Sequence, residues 1–152
     1  MKYALDTNVF IDGFRSEKAQ ADVLAFLTRA LPFTYLSAVV MQELAAGAGT
    51  ADAASELQDR IFSPFERRRR VFAPSVGAFV ASGRALAAIA AKEGWPLVGE
   101  NPSLANDALI ATSCREQGIT LITNDGDFSR IAPFVSGLSY VAPWPAVPEG
   151  RG

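Results

Sequence analysis

Short apolar runs alternate with longer stretches of helical periodicity along this chain. Tyr3-Ala4-Leu5 reads as a short buried strand that stops at Asp6-Thr7-Asn8, and residues 19–31 carry Val23, Leu24, Phe26, Leu27 and Leu31 at helical spacing before Pro32. Residues 33–36 predict a second strand. Ser37 is placed to cap a helix running through Val39, Val40, Met41, Glu43 and Leu44 to Gly47 and Gly49. An alanine-rich helix over 51–61 is interrupted or ended by Pro64, and the residues after it lead into Val71-Phe72-Ala73. The next helix is predicted over 76–92, closed by Gly94. Ser103 is expected to cap a helix over 104–117 that Gly118 ends. Residues 119–123 form the clearest strand, broken by Asn124-Asp125-Gly126-Asp127, a turn composition. A short helix over 128–134 and a last strand over 139–141 complete the pattern.

Helices alternating with short apolar strands predict an α/β fold with a mostly parallel sheet, because parallel neighbours need crossover helices. The expected organisation is one domain over residues 1–142, followed by an irregular tail over 143–152 carrying Pro143, Pro145 and Pro148. In such sheets the ligand crevice lies beyond the carboxyl ends of the strands. Asp6 and Asp125 both fall there.

Composition narrows the chemistry. The chain has 152 residues, 49% hydrophobic and 20% charged, a globular balance and not a disordered one. At this length folding buries roughly 70% of the extended chain's surface, so the core needs no metal or disulfide. There is no histidine, which excludes Ser-His and Cys-His dyads, His-ligated zinc and imidazole acid/base catalysis together. Cys114 is the single cysteine, so one chain builds no intramolecular disulfide or Cys-rich metal site. The N-terminus meets an aspartate at position 6 and does not read as a signal peptide, and no apolar run reaches the roughly 18 residues of a membrane span. The expectation is a cytoplasmic protein with no membrane partner.

Two acids interrupt apolar helix faces. Positions 104, 107, 108 and 111 share one face and read Leu104, Asp107, Ala108 and Ala111; the earlier helix repeats this with Val40, Glu43, Leu44 and Gly47. A lone acid in such a stripe is often at its edge or paired with an arginine. Two of them with two strand-end aspartates make a different pattern, since a buried carboxylate costs several kcal/mol unless it is paired or coordinated. Four oxygen donors without His or Cys suit a hard cation, Mg²⁺ or Mn²⁺. Such a cation serves phosphate chemistry: it neutralises a nonbridging oxygen, lowers the pKa of a bound water and steadies the leaving alkoxide. Neither Gly-rich phosphate-loop motif occurs, which disfavours dinucleotide or ATP binding.

These residues fall in a familiar order. Asp6-Thr7-Asn8 closing an N-terminal strand, Glu43 on the helix after the second strand, Asp107 in Asn106-Asp107-Ala108-Leu109-Ile110-Ala111, and Thr123-Asn124-Asp125-Gly126-Asp127-Phe128 together resemble the PIN-domain ribonucleases. The length and the gaps are most similar to the VapC-type toxins of toxin-antitoxin pairs, over residues 2–141. The resemblance implies an α/β/α sandwich and a Mg²⁺-dependent endoribonuclease, with Mn²⁺ as a substitute. It also implies a homodimer held inactive by a cognate antitoxin. Asp6, Glu43 and Asp107 match the family's first three acids. Asp125 is the preferred fourth and Asp127 the alternative. Thr7, Asn8 and Thr123 match polar residues that orient carboxylates around the metal, the other reading being turn chemistry at strand ends.

Arg67, Arg68, Arg69 and Arg70 form the one dense basic run. They are candidates for binding RNA phosphates, against a plain reading as a solvated helix end. Two rival functions are carried: a non-catalytic RNA- or protein-binding module on the same fold, whose signature is an eroded acidic quartet, and a phosphatase of the haloacid-dehalogenase type. The latter is echoed by Asp6-Thr7-Asn8-Val9 but lacks the second aspartate at position 8. The formal charge of −2 comes from 14 basic and 16 acidic residues. Setting aside Asp6, Glu43, Asp107, Asp125 and Asp127 leaves 11 acids against 14 bases, a formal +3, so the acidity is concentrated in the candidate site.

Overall fold

The computed structural model describes residues 1–147. Its centre is a five-stranded sheet of β1 (Tyr3–Leu5), β2 (Thr34–Ser37), β3 (Val71–Phe72), β4 (Thr120–Ile122) and β5 (Tyr140–Val141), all parallel, in the order β3-β2-β1-β4-β5. The strands are two to four residues long, and β1 and β2 run directly into the helix caps Asp6 and Ser37. Helices flank the sheet, as expected of an α/β/α sandwich.

α1 (Thr7–Arg15) follows β1 directly, then α2 (Glu17–Ala30). The sequence pattern predicts no element over residues 7–15; they are a helix capped by Asp6, whose Oδ1 accepts from Thr7 N at 2.8 Å. The two helices approach closely at Gly13, where a Cβ would sit 3.3 Å from Val23 Cγ2. α3 (Ala38–Gly47) starts at Ser37, whose hydroxyl accepts from Val39 N, as predicted. α4 (Ala51–Leu57) continues through a wide turn over Gln58–Phe62 into α5 (Ser63–Arg67). Pro64 neither interrupts nor ends the segment: the chain stays helical through the wide turn, with Ser63 N–H reaching back to the Gln58 carbonyl.

α6 (Val76–Glu93) presents Ala78, Ser82, Ala85 and Ile89 inward. These small side chains let it lie close to α8 (Pro102–Gln117), and Thr112 Oγ1 donates to the Ala78 carbonyl at 3.0 Å. The short α7 (Trp95–Gly99) between them was not anticipated. α8 begins two residues earlier than predicted: Asn101, not Ser103, is its cap, with Oδ1 accepting from Leu104 N at 3.2 Å and Pro102 filling the first position. Gly118 ends it in the left-handed region at φ 64°. α9 (Asp127–Ile131) follows β4. Residues 143–147 carry no helix or strand, yet Trp144 stacks on the fully buried Phe26 with ring centroids 5.0 Å apart. Pro148 and the rest of the expected tail lie outside the described residues.

Candidate active site

Chain order and sheet order diverge between β1 and β4. From β1 the chain runs outward to β2 and β3, then returns on the other side as β4 and β5. The strand order therefore reverses between β1 and β4, and open α/β sheets hold ligands beyond the carboxyl ends of the strands at such a point. The register pairs Leu5 with Ile122, so Asp6 and Thr123 emerge side by side.

Thr123 Oγ1 donates to Asp6 Oδ2 at 2.8 Å and accepts from Asp125 N at 3.0 Å, tying the two strand ends together. Both oxygens of the buried Asp6 are thus held, one by Thr7 N and one by Thr123. Thr7 Oγ1 donates to Glu43 Oε1 at 2.8 Å, which brings α3 to the same crevice. Asn8 Nδ2 donates to Asp125 Oδ2 at 3.3 Å. The three polar residues predicted around the acids each hold one.

Asp107 enters from α8. Its face is buried as the spacing predicted: Leu104, Ala108 and Ala111 are fully enclosed and Asp107 is 6% exposed. The matching expectation for α3 holds less far, since Val40 and Leu44 are buried but Glu43 is half-buried and Gly47 exposed. Carboxylate oxygens of Asp107, Asp125 and Asp127 lie within 4.8 Å of one another. The structure thus brings both candidates for the fourth acid to Asp107. Asp125 Oδ1 accepts from Asp127 N at 2.9 Å, and Asp127 Oδ1 accepts from Arg130 Nη1 at 2.8 Å.

The electrostatics follow from this crowding. Burial, and then the charges of Asp6, Asp125, Glu43 and Asp127, raise the Asp107 carboxyl from the ordinary 3.8 to about 8. Burial raises Asp6 to about 6, opposed by its hydrogen bonds from Thr123 and Thr7. Asp107 Oδ2 is buried with no hydrogen-bond partner among the described residues. A buried acceptor with nothing to accept from, beside two more carboxylates and no His or Cys, fits a hard divalent cation.

The arginine run is elsewhere. Arg70 immediately precedes β3, as Lys2 precedes β1, so both sit at the amino ends of the strands, opposite the acids. Arg70 Nη1 donates to the Pro32 carbonyl, and its guanidinium lies 5.3 Å over the Tyr35 ring. Arg68 Nη1 donates to the Pro64 carbonyl at 2.9 Å. Arg67 and Arg69 are exposed. None of the four is brought to the crevice. Three residues not singled out in the sequence do line its rim: Asp12, which accepts from Asn124 Nδ2 at 2.9 Å, and the pair Glu93 and Arg130. Only the three-residue spacing of Asp127 and Arg130 on one short helix was a readable signal for them.

The PIN domain family model matches residues 3–133. No curated protein sequence matches the chain. Among solved structures, DNA-bound VapBC from Salmonella typhimurium contains a chain 20% identical, with TM-score 0.69 over 93% of this chain and 98% of that one. FitAcB from Neisseria gonorrhoeae gives 21% identity and TM-score 0.64, and VapBC-1 from nontypeable Haemophilus influenzae 23% and 0.62; each covers 93% of this chain and 98% of the other. At these identities the likeness is one of fold.

Proposed function

The chain belongs to the PIN domain family, and from that premise we propose that it is a Mg²⁺-dependent endoribonuclease, the toxin half of a toxin-antitoxin pair. The observation that carries the reading is Asp107, whose buried Oδ2 has no partner among the described residues and whose carboxylate lies within 4.8 Å of those of Asp125 and Asp127. Asp6, Glu43, Asp107 and Asp125 would hold the ion, with Asp127 the alternative fourth acid. A divalent cation there supplies positive charge to phosphate oxygens and lowers the pKa of water. Mn²⁺ is the expected substitute.

The chain's own residues do the positioning. Thr123 fixes Asp6 and, through Asp125 N, the turn after β4. Thr7 fixes Glu43, and Asn8 turns its amide toward Asp125. Donors fixed by strand ends and helix caps keep the carboxylates converging before any ion arrives. That preorganisation is what in-line attack of water on a phosphodiester requires. Position 8 supplies a donor where a haloacid-dehalogenase-type loop needs an acid, which argues against the phosphatase reading. The acidic quartet is intact, which argues against a non-catalytic module.

An antitoxin partner has a seat available. A groove of about 670 Å³ between α1, α2, α3 and α4 is lined by Phe10, Phe14, Val23, Leu24, Leu57 and Ile61 and reaches Glu43. Phe14 and Leu24 are 57% and 58% exposed on it. An amphipathic segment laid there would end beside the acids, and the structures of similar fold are VapBC and FitAcB complexes. The homodimer expectation is supported by Val76, Phe79 and Val80, an exposed apolar stripe at the start of α6. Among the described residues no helix is long and apolar enough to cross a membrane.

The test is RNA cleavage by purified protein shown to be free of bound antitoxin. Cleavage should require Mg²⁺ or Mn²⁺, stop with EDTA and be lost in Asp107→Asn. Full activity in that variant would overturn the assignment.

A further inference from the structure

Among the described residues, the five acids of the crevice meet one cationic side chain. Arg130 Nη1 donates to Asp127 Oδ1 at 2.8 Å, whereas Asp6, Glu43 and Asp125 are held by neutral donors and Asp107 Oδ2 by none. The guanidinium is braced from its other edge, where Nε lies 3.0 and 3.2 Å from the two oxygens of Glu93. Glu93 is the last residue of α6 and Arg130 lies on α9, so the arginine spans two helices. Each of the three side chains is about one-third exposed. A solvent-exposed pair three residues apart would by itself contribute little. This one differs because its acid is also one of three carboxylates whose oxygens lie within 4.8 Å of each other.

We propose that Arg130, braced by Glu93, is the resident counter-cation of the acid cluster: it pairs with Asp127 when no divalent ion is bound and competes with that ion for the cluster's charge. The proposal rests on the metal-site reading above. A guanidinium and a divalent cation are drawn to the same carboxylates and repel each other, so each weakens the other's hold. The coupling between them is reciprocal by linkage. Removing the charge of Arg130 leaves the metal-free carboxylates less compensated and the ion more strongly attracted. Removing the charge of Glu93 acts in the opposite sense, since Arg130 then faces the cluster with its full charge.

The two signs separate this role from a merely structural one. If the Glu93–Arg130 pair only tied α6 to α9, both substitutions would loosen the site and weaken the ion together. Calorimetric titration of Mn²⁺ and Mg²⁺ into the full-length protein at low salt reads the difference. Arg130→Gln should bind Mn²⁺ about tenfold more tightly than the parent, a typical size for coupling between two sites, and Glu93→Gln should bind it more weakly. Arg130→Lys keeps the charge and should stay close to the parent. In EDTA, Arg130→Gln should unfold at a lower temperature than the parent, and saturating Mg²⁺ should close the gap. Unchanged or weaker Mn²⁺ binding in Arg130→Gln, or weakening in both charge-removing variants, overturns the proposal. A parent protein that binds neither ion overturns the metal-site reading, and this proposal with it.

Discussion

Replacing Asp107 with asparagine separates what the acid cluster costs the fold from what it is for. Without a bound cation, burial and the surrounding carboxylates raise Asp107 from 3.8 to about 8. The folded chain therefore holds a proton that the unfolded chain has released over the whole interval between. A raised acid contributes its full stability only below the unfolded value, and loses it as pH climbs toward the folded one. At about 1.4 kcal/mol per pH unit, the loss is about 4 kcal/mol at pH 7 and about 1.6 kcal/mol at pH 5. Asparagine has nearly the same shape and no proton to bind, so Asp107→Asn should be more stable than the parent in EDTA by roughly those amounts. For a chain of this size the difference at pH 7 corresponds to about 10 °C in Tm. Asp6, raised to about 6, ionises while Asp107 is still protonated, so it meets a neutral neighbour in both proteins and its loss largely cancels in the comparison. The assay is thermal unfolding followed by circular dichroism from pH 5 to pH 8, in EDTA and in saturating Mg²⁺. With Mg²⁺ the order should invert, because the parent gains the ion and the variant does not. An asparagine advantage that fails to grow with pH, or that is absent at pH 7, would refute the description of Asp107 as a buried acid waiting for a cation.

Three further outcomes are expected. Thr123→Val leaves Asp6 Oδ2 without its donor and should cost about 1–3 kcal/mol, with Mn²⁺ uptake moving to higher pH as Asp6 rises further; titrations at several pH values check this. Arg67→Ala with Arg69→Ala should leave the rate of RNA cleavage within about twofold, because both side chains are exposed at the far end of the strands from the acids, and a gel-based cleavage assay checks this. Phe79→Glu puts a charge in the exposed stripe of α6 and should shift a homodimer to monomer in sedimentation velocity, with the unfolding temperature little changed.

Much of the site was legible because its geometry is local. Asp107 could be placed on a buried face from spacing alone, since Leu104, Ala108 and Ala111 specify that face wherever the helix packs. The strand-end positions of Asp6 and Asp125 followed from apolar runs that stop abruptly. α1 was hidden because Asp6-Thr7-Asn8 has a turn composition, and a turn and a helix cap use the same side-chain chemistry. Only tertiary packing against Val23 explains why Gly13 continues that helix. The cap of α8 was misplaced by two residues because Ser103 is a good cap in isolation, whereas Pro102 needs the position after one. The arginine run could have been assigned to the far end, since residues just before a parallel strand lie opposite those just after its neighbours. The pairing of Arg130 with Glu93 joins residues 37 apart on different helices, and no local pattern reports it.

Cleavage of an end-labelled oligoribonucleotide in ¹⁸O-enriched water, with Mg²⁺, tests the central claim most directly. If the crevice directs water onto the phosphodiester, the products carry 3′-hydroxyl and 5′-phosphate ends with ¹⁸O in the new phosphate, and EDTA abolishes them. A 2′,3′-cyclic phosphate, or cleavage that persists in EDTA, would contradict it.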